Sequence, residues 1–163
     1  MLVHELDDAV GAMAALLEKD TDPDTRLLSW PDEAWRVRKV LTDDLIVPKA
    51  YPVVYVSAVG QERRLVGSDG QYNVRLMLEL IVENTYREPT DETNTKRELT
   101  KLARRVEEIA RRNRIYEPYW HRSIFHDEAE PLRLDLYTLK TAQHVIVGAV
   151  LRWHGWRRVL LTS

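Results

Sequence analysis

Cysteine is absent from all 163 residues, which excludes disulfides, thiolate metal sites and cysteine nucleophiles. Long apolar runs are absent as well. No stretch approaches the ~18 uninterrupted apolar residues of a membrane-spanning helix. The opening "MLVHELDDAV" is acidic and amphipathic, without the basic start and apolar run of a signal peptide. Charge of one sign is not in excess. Lys and Arg number 24 against 26 Asp and Glu, a net charge of -2, so there is no bulk basic footprint for nucleic acid. Together these absences predict a soluble, intracellular chain.

Catalytic signatures are missing too. "GQERRLVGSDG" has neither the glycine spacing nor the lysine of a phosphate loop, and no helix follows it. Ser57, Ser68, Ser123 and Ser163 lack the G-x-S-x-G setting of a nucleophile elbow. His121 and His126 are five apart, and His144 and His154 lie in or beside the last apolar stretch. None of these pairs has the i, i+4 spacing of a helical zinc site. Glu79 and Asp135 project from alternating stretches and could meet in a site, with the wet face of a sheet as their ordinary role. The expectation is a protein without catalytic residues, metal or cofactor.

What the chain does have is pattern. Hydrophobic residues make up 44%, enough for a core. Residues 2–18 place Leu2, Leu6, Val10, Met13, Leu16 and Leu17 at helical spacing, with acids near the start where the helix dipole favours them. "DTDPDT" ends that helix. Short extended pieces are expected around 35–41 and 45–47, with "TDD" at 42–44 as a turn. Residues 53–59 read as a strand. Residues 72–83 alternate strictly, with Tyr72, Val74, Leu76, Leu78, Leu80 and Val82 on one face. "GSDG" at 67–70 is a turn signal, so 60–70 is expected to form the long polar loop of a hairpin.

A second helix follows. Thr95 and Glu98 have capping-box spacing, and Leu99, Leu102, Ala103, Val106, Ile109 and Ala110 form an apolar stripe ending near Asn113. An aromatic-rich connection covers 116–131, and strands are expected at 132–138 and 143–153. The order predicts an α+β fold, a mainly antiparallel sheet with two amphipathic helices on one face. There is no repeat, linker or low-complexity tract, so residues 1–163 read as a single α+β domain.

Charge is distributed unevenly. Residues 1–50 carry 11 acids and 6 bases, whereas 92–114 carry 8 bases and 4 acids, which suggests two differently charged faces. The basic helix 96–114 is the best nucleic-acid candidate through Arg104, Arg105, Arg111 and Arg112. Pairs such as Glu107–Arg111 and Glu108–Arg112 would satisfy part of that charge internally. Five tryptophans and seven tyrosines favour an interface reading. Trp153 and Trp156, flanking His154 and Gly155, are the candidates there.

The order of these parts resembles the tail terminator (tail-completion) proteins of long-tailed bacteriophages. The likeness runs from residue 1 to about 156: an N-terminal amphipathic helix, the proline-led strand "YPVVYVSAV", a polar loop, the long strand "QYNVRLMLELIVEN", the helix "TKRELTKLARRVEEIARR" and two closing strands. It is a likeness of element order and hydropathy, and neither 29–35 nor "WHGW" takes part. The resemblance implies a virion protein of the tail and neck, assembled in the host cytoplasm. Such a protein forms a homo-oligomeric, hexameric ring. The ring caps the tail tube on one side, meets the head-tail connector on the other, and lets genomic DNA pass through its lumen, with no membrane involved. Under that reading the loop 60–70 docks onto an adjoining ring, with Gln61, Arg63, Arg64 and Asp69 as contacts. Alternatives are another neck or head-tail joining protein, a nucleic-acid-binding module using 96–114, and a small enzyme using Glu79, Asp135 or a histidine.

Overall fold

The computed structural model describes residues 2–42, 48–65, 71–86, 88–113, 124–126 and 134–160. Helix α1 spans Leu2–Lys19 and helix α2 spans Glu92–Arg112. The strands are β1 (Lys39–Leu41), β2 (Val53–Leu65), β3 (Gln71–Tyr86), β4 (Ile124–His126), β5 (Leu134–Lys140) and β6 (Val145–Leu160). The sheet path is β1-β2-β3-β6-β4, and β5 also pairs β6. Only β1 and β2 run parallel among the described pairs. This is the expected α+β arrangement with a mainly antiparallel sheet.

Both helices lie on one face, and their spacing explains it. Ala9, Val10, Met13, Leu16 and Leu17 of α1 are buried, as are Leu99, Leu102, Ala103, Val106, Ile109 and Ala110 of α2. Such i, i+3, i+4 stripes must be covered. Helix α1 packs on β1 and β2, α2 packs on β3 and β6, and the helices touch each other. Beneath them, alternate residues of β3 from Val74 to Val82 are fully buried beside Val147, Ala149, Leu151 and Trp153 of β6.

Two expectations are corrected here. The long polar loop is much shorter, because β2 runs on to Leu65. Gln61 lies opposite Leu76, Arg63 opposite Val74 and Arg64 opposite Asn73. The ladder shifts register between Ala58 and Gly60, so Val59 is an extra, bulged residue. Cross-strand pairing with β3 carries this polar stretch, which has no apolar alternation of its own to announce it. The capping box is also absent. A 3-10 turn, Pro89–Asp91, leads into a helix that begins at Glu92, three residues before Thr95. Thr95 is instead buried at the head of the apolar stripe, and Lys96 Nζ pairs Glu92 at 2.9 Å in the first turn.

Other boundaries move less. Of the extended piece expected at 35–41 only β1, Lys39–Leu41, is strand, and Trp35 ends a 3-10 turn that spans Glu33–Trp35. Strand β6 continues seven residues past Trp153, to Leu160. The extended piece expected at 45–47, all but the first residue of the turn at 42–44, the "GSDG" turn and most of 116–131 lie outside the described residues. No described helix is long and apolar enough to cross a membrane.

Candidate assembly interface

The four arginines proposed on α2 separate into different roles. Arg104 is exposed on the solvent side. Arg105, the next residue, is turned by about 100° around the helix and faces inward. Its Nη1 donates to the Arg26 carbonyl at 3.1 Å and its Nη2 to the Trp35 carbonyl at 3.4 Å. Its guanidinium carbon lies 3.8 Å from the Trp30 ring centroid, a cation–π contact. Burial pushes its pKa down to about 10, against the opposing pull of Glu98. Arg105 is therefore an internal clamp.

Arg112 is also occupied internally. It bridges Asp20 at 2.6 Å and Asp22 at 3.0 Å, and donates to Thr25 Oγ1 at 3.0 Å. The expected Glu108–Arg112 pair gives way to this contact with the turn after α1. Glu107–Arg111 forms as expected, at 2.6 Å. Lys96 and Lys101 are paired with Glu92 and Glu98. Arg97 and Arg104 remain exposed with no described ion pair, one helical stripe seven residues apart.

The tryptophans divide in the same way. Trp153 is 1% exposed within the main core, so it is a packing residue and not an exposed anchor. A Cβ at Gly155 would overlap its ring. For Trp156 the ladder positions are described, opposite Arg75 on β3 and Phe125 on β4. Trp35 packs against the core. Around it, arginines satisfy the carbonyls of an irregular segment. Arg36 Nε donates to the Trp30 carbonyl at 2.8 Å, and Arg38 Nη2 donates to that of Glu33 at 2.9 Å.

In the hairpin, the Gln61 Oε1 is buried without a hydrogen-bond partner. Arg63 and Arg64 have the ladder positions given above. Asp69 lies outside the described residues.

The sheet face away from the helices holds a polar cluster that periodicity did not reveal. Glu83 is 8% exposed. The Tyr137 hydroxyl donates to its Oε2. The tyrosine crosses from β5 over Gly148, where a Cβ would collide with its ring. Burial first, then the hydrogen bond to Glu83 and its charge, raise the Tyr137 phenol above its ordinary pKa; Tyr51 is raised by burial and then by the Glu83 charge. Leu41, Val53 and Tyr55 form a small apolar cluster beside it. The sequence signal was a glycine facing a tyrosine across a hairpin, visible only once the register is known.

Glu79 and Asp135 do not meet. They are on this same face, but two strand spacings apart across the sheet and two residues apart along β6, roughly 12 Å in all, and Glu79 lies 3.7 Å from Arg152 Nε. Among the described residues no three metal-ligating side chains gather. A groove of about 320 Å³ beside β1 is lined by Arg38, Lys39 and Lys49 together with Leu41, Pro48 and Val53. No protein-family model matches this chain, and no curated protein matches it.

Proposed function

We propose that this protein is a tail-completion subunit of a long-tailed bacteriophage. It closes a ring on the end of the tail tube and offers the opposite side of that ring to the head-tail connector, with genomic DNA in the lumen. The work is structural, without turnover. The observation that carries the reading is architectural. The order of helix, long hairpin, helix and closing strands folds as one helical layer on a mainly antiparallel sheet, the arrangement that the resemblance implied.

The test is the particle mass across a concentration series, with negative-stain images of the same samples. The expected result is an open-centred ring near six times 19.1 kDa. A chain that stays monomeric at every concentration and ignores the ends of purified tail tubes would overturn the proposal.

A second reading, nucleic-acid binding through α2, rests on Arg97 and Arg104. It is weakened by the internal engagement of Arg105 and Arg112. Its signature is the salt dependence of DNA binding.

A further inference from the structure

Four large apolar side chains stand exposed among the described residues: Leu28, Val59, Leu136 and Leu139. Three of them sit on edge strands. Strand β2 is covered on its outer side by β1 only over residues 53–55. Beyond Tyr55 no described residue pairs with that side. Strand β5 pairs β6 on one side, and no described residue pairs with the other. The two edges that no described residue covers lie toward opposite ends of one sheet.

An uncovered edge is a row of free backbone donors and acceptors, which soluble proteins usually blunt with charge, proline or a covering element. Strand β5 is blunted little. Its sequence is LDLYTLK. Leu136 lies opposite Ala149 on the helix-covered side, and Leu139 lies opposite Ile146 on the other. Each is about half exposed. At the far edge Val59, 53% exposed, marks the bulge. Beyond it β2 runs in regular register from Gly60 to Leu65.

We propose that the outer edge of β5 in one copy pairs with the uncovered outer edge of β2 in the next, so that sheets run on from copy to copy. The inference rests on the ring reading above and names the surface that closes the ring. The occupant is a second copy because one chain supplies both halves of the contact. Six regular residues of β2 face the seven of β5, each a ladder of roughly 20 Å. Main-chain pairing of this kind needs no shared side-chain motif. Joining two different edges is a heterologous contact, which gives a ring where the rotation between copies closes and an open filament where it does not, but not a two-fold dimer.

The test uses the full chain and one exposed change at each edge, Val59→Lys and Leu139→Lys. Mass in solution reports assembly, and far-UV circular dichroism reports the fold. Each variant is expected to keep its fold and to need at least tenfold higher concentration to assemble. A ring that persists unchanged in both variants would overturn edge pairing and leave the ring reading standing. A parent chain that never assembles, in solution or on tube ends, would overturn both.

Because the chain has no cysteine, cross-linking gives an independent second measurement. Val59→Cys/Leu139→Cys treated with a short bis-maleimide should give a covalent ladder of oligomers, while neither single variant gives a covalent dimer. A dimer from Leu139→Cys alone would show two-fold pairing of β5 with itself and overturn the proposal. An intact ring without any covalent product from the double variant would overturn it too.

Discussion

Gly148 is the residue at which the open face of the sheet has no room for a side chain. The Tyr137 ring occupies the space that a Cβ would take, and its hydroxyl satisfies the buried Glu83. Gly148→Ala should therefore displace Tyr137 and cost about 1–3 kcal/mol, read as a lower urea midpoint at unchanged slope. Gly11 is the contrasting case. It is exposed within α1, and nothing lies within 4 Å of a Cβ there. Gly11→Ala should gain about 1 kcal/mol by removing backbone freedom from the unfolded chain, seen as a higher thermal midpoint. Tyr137 also sets a pH dependence. Its pKa is raised in the folded state, so the native protein holds that proton more tightly than the unfolded chain does. The resulting stability is fully present below the ordinary phenol value of about 10 and is lost as pH rises above it. Urea unfolding at successive pH values should show stability falling above about pH 10 in the parent and falling less in Tyr137→Phe. Subtracting the two curves removes the titration of Arg105 and of every other shared group.

At the scale of elements, the segment between α1 and β1 is held by its buried Leu27 and Val37 and also by cations reaching from α2. Arg112 binds Asp20, whose side chain is 10% exposed, together with Asp22 and Thr25. Arg112→Ala leaves a largely buried carboxylate without its cation, with only the Thr25 hydroxyl still donating to it, and should cost about 2 kcal/mol. Arg104→Ala, on the solvent side, should change stability by less than about 0.5 kcal/mol. Denaturant unfolding of the two variants side by side checks both. This contrast also explains what the sequence could reveal. The apolar stripes of α1, α2 and β3 were legible because burial imposes their periods directly. The engagement of Arg105 and Arg112 by the α1–β1 segment was not, since an arginine carries the same charge whether it meets water or a protein oxygen. Residues 61–65 of β2 escaped notice for a related reason. A strand held by its neighbour's backbone needs no apolar alternation, and its pairing partner β3 lies across the hairpin. Trp153 misled in the opposite direction. An aromatic near other aromatics reads as a surface anchor, but its place on β6, two residues beyond Leu151, puts it under the helices.

For the whole molecule, the uneven charge of the sequence is largely consumed at home. Helix α2 lends Arg105 and Arg112 to the α1–β1 segment, and pairs Lys96, Lys101 and Arg111 along its own length. What α2 still offers to a polyanion is Arg97 and Arg104. Each phosphate contact contributes about -0.9 to the slope of log K against log salt on duplex DNA. A single copy should therefore bind duplex DNA weakly, with a slope of about -2. In the proposed ring, six copies with this helix stripe facing the lumen would multiply the contacts, and the slope should steepen to the order of -10. The same stripe on the rim leaves the slope near the monomer value, because no one duplex reaches more than a copy or two. Binding measured over a salt series, below and above the assembly concentration, thus reports which way α2 faces. Arg97→Ala/Arg104→Ala supplies the control. It should abolish the steepening if α2 lines the lumen and leave assembly itself intact, because neither side chain belongs to the sheet edges that join the copies.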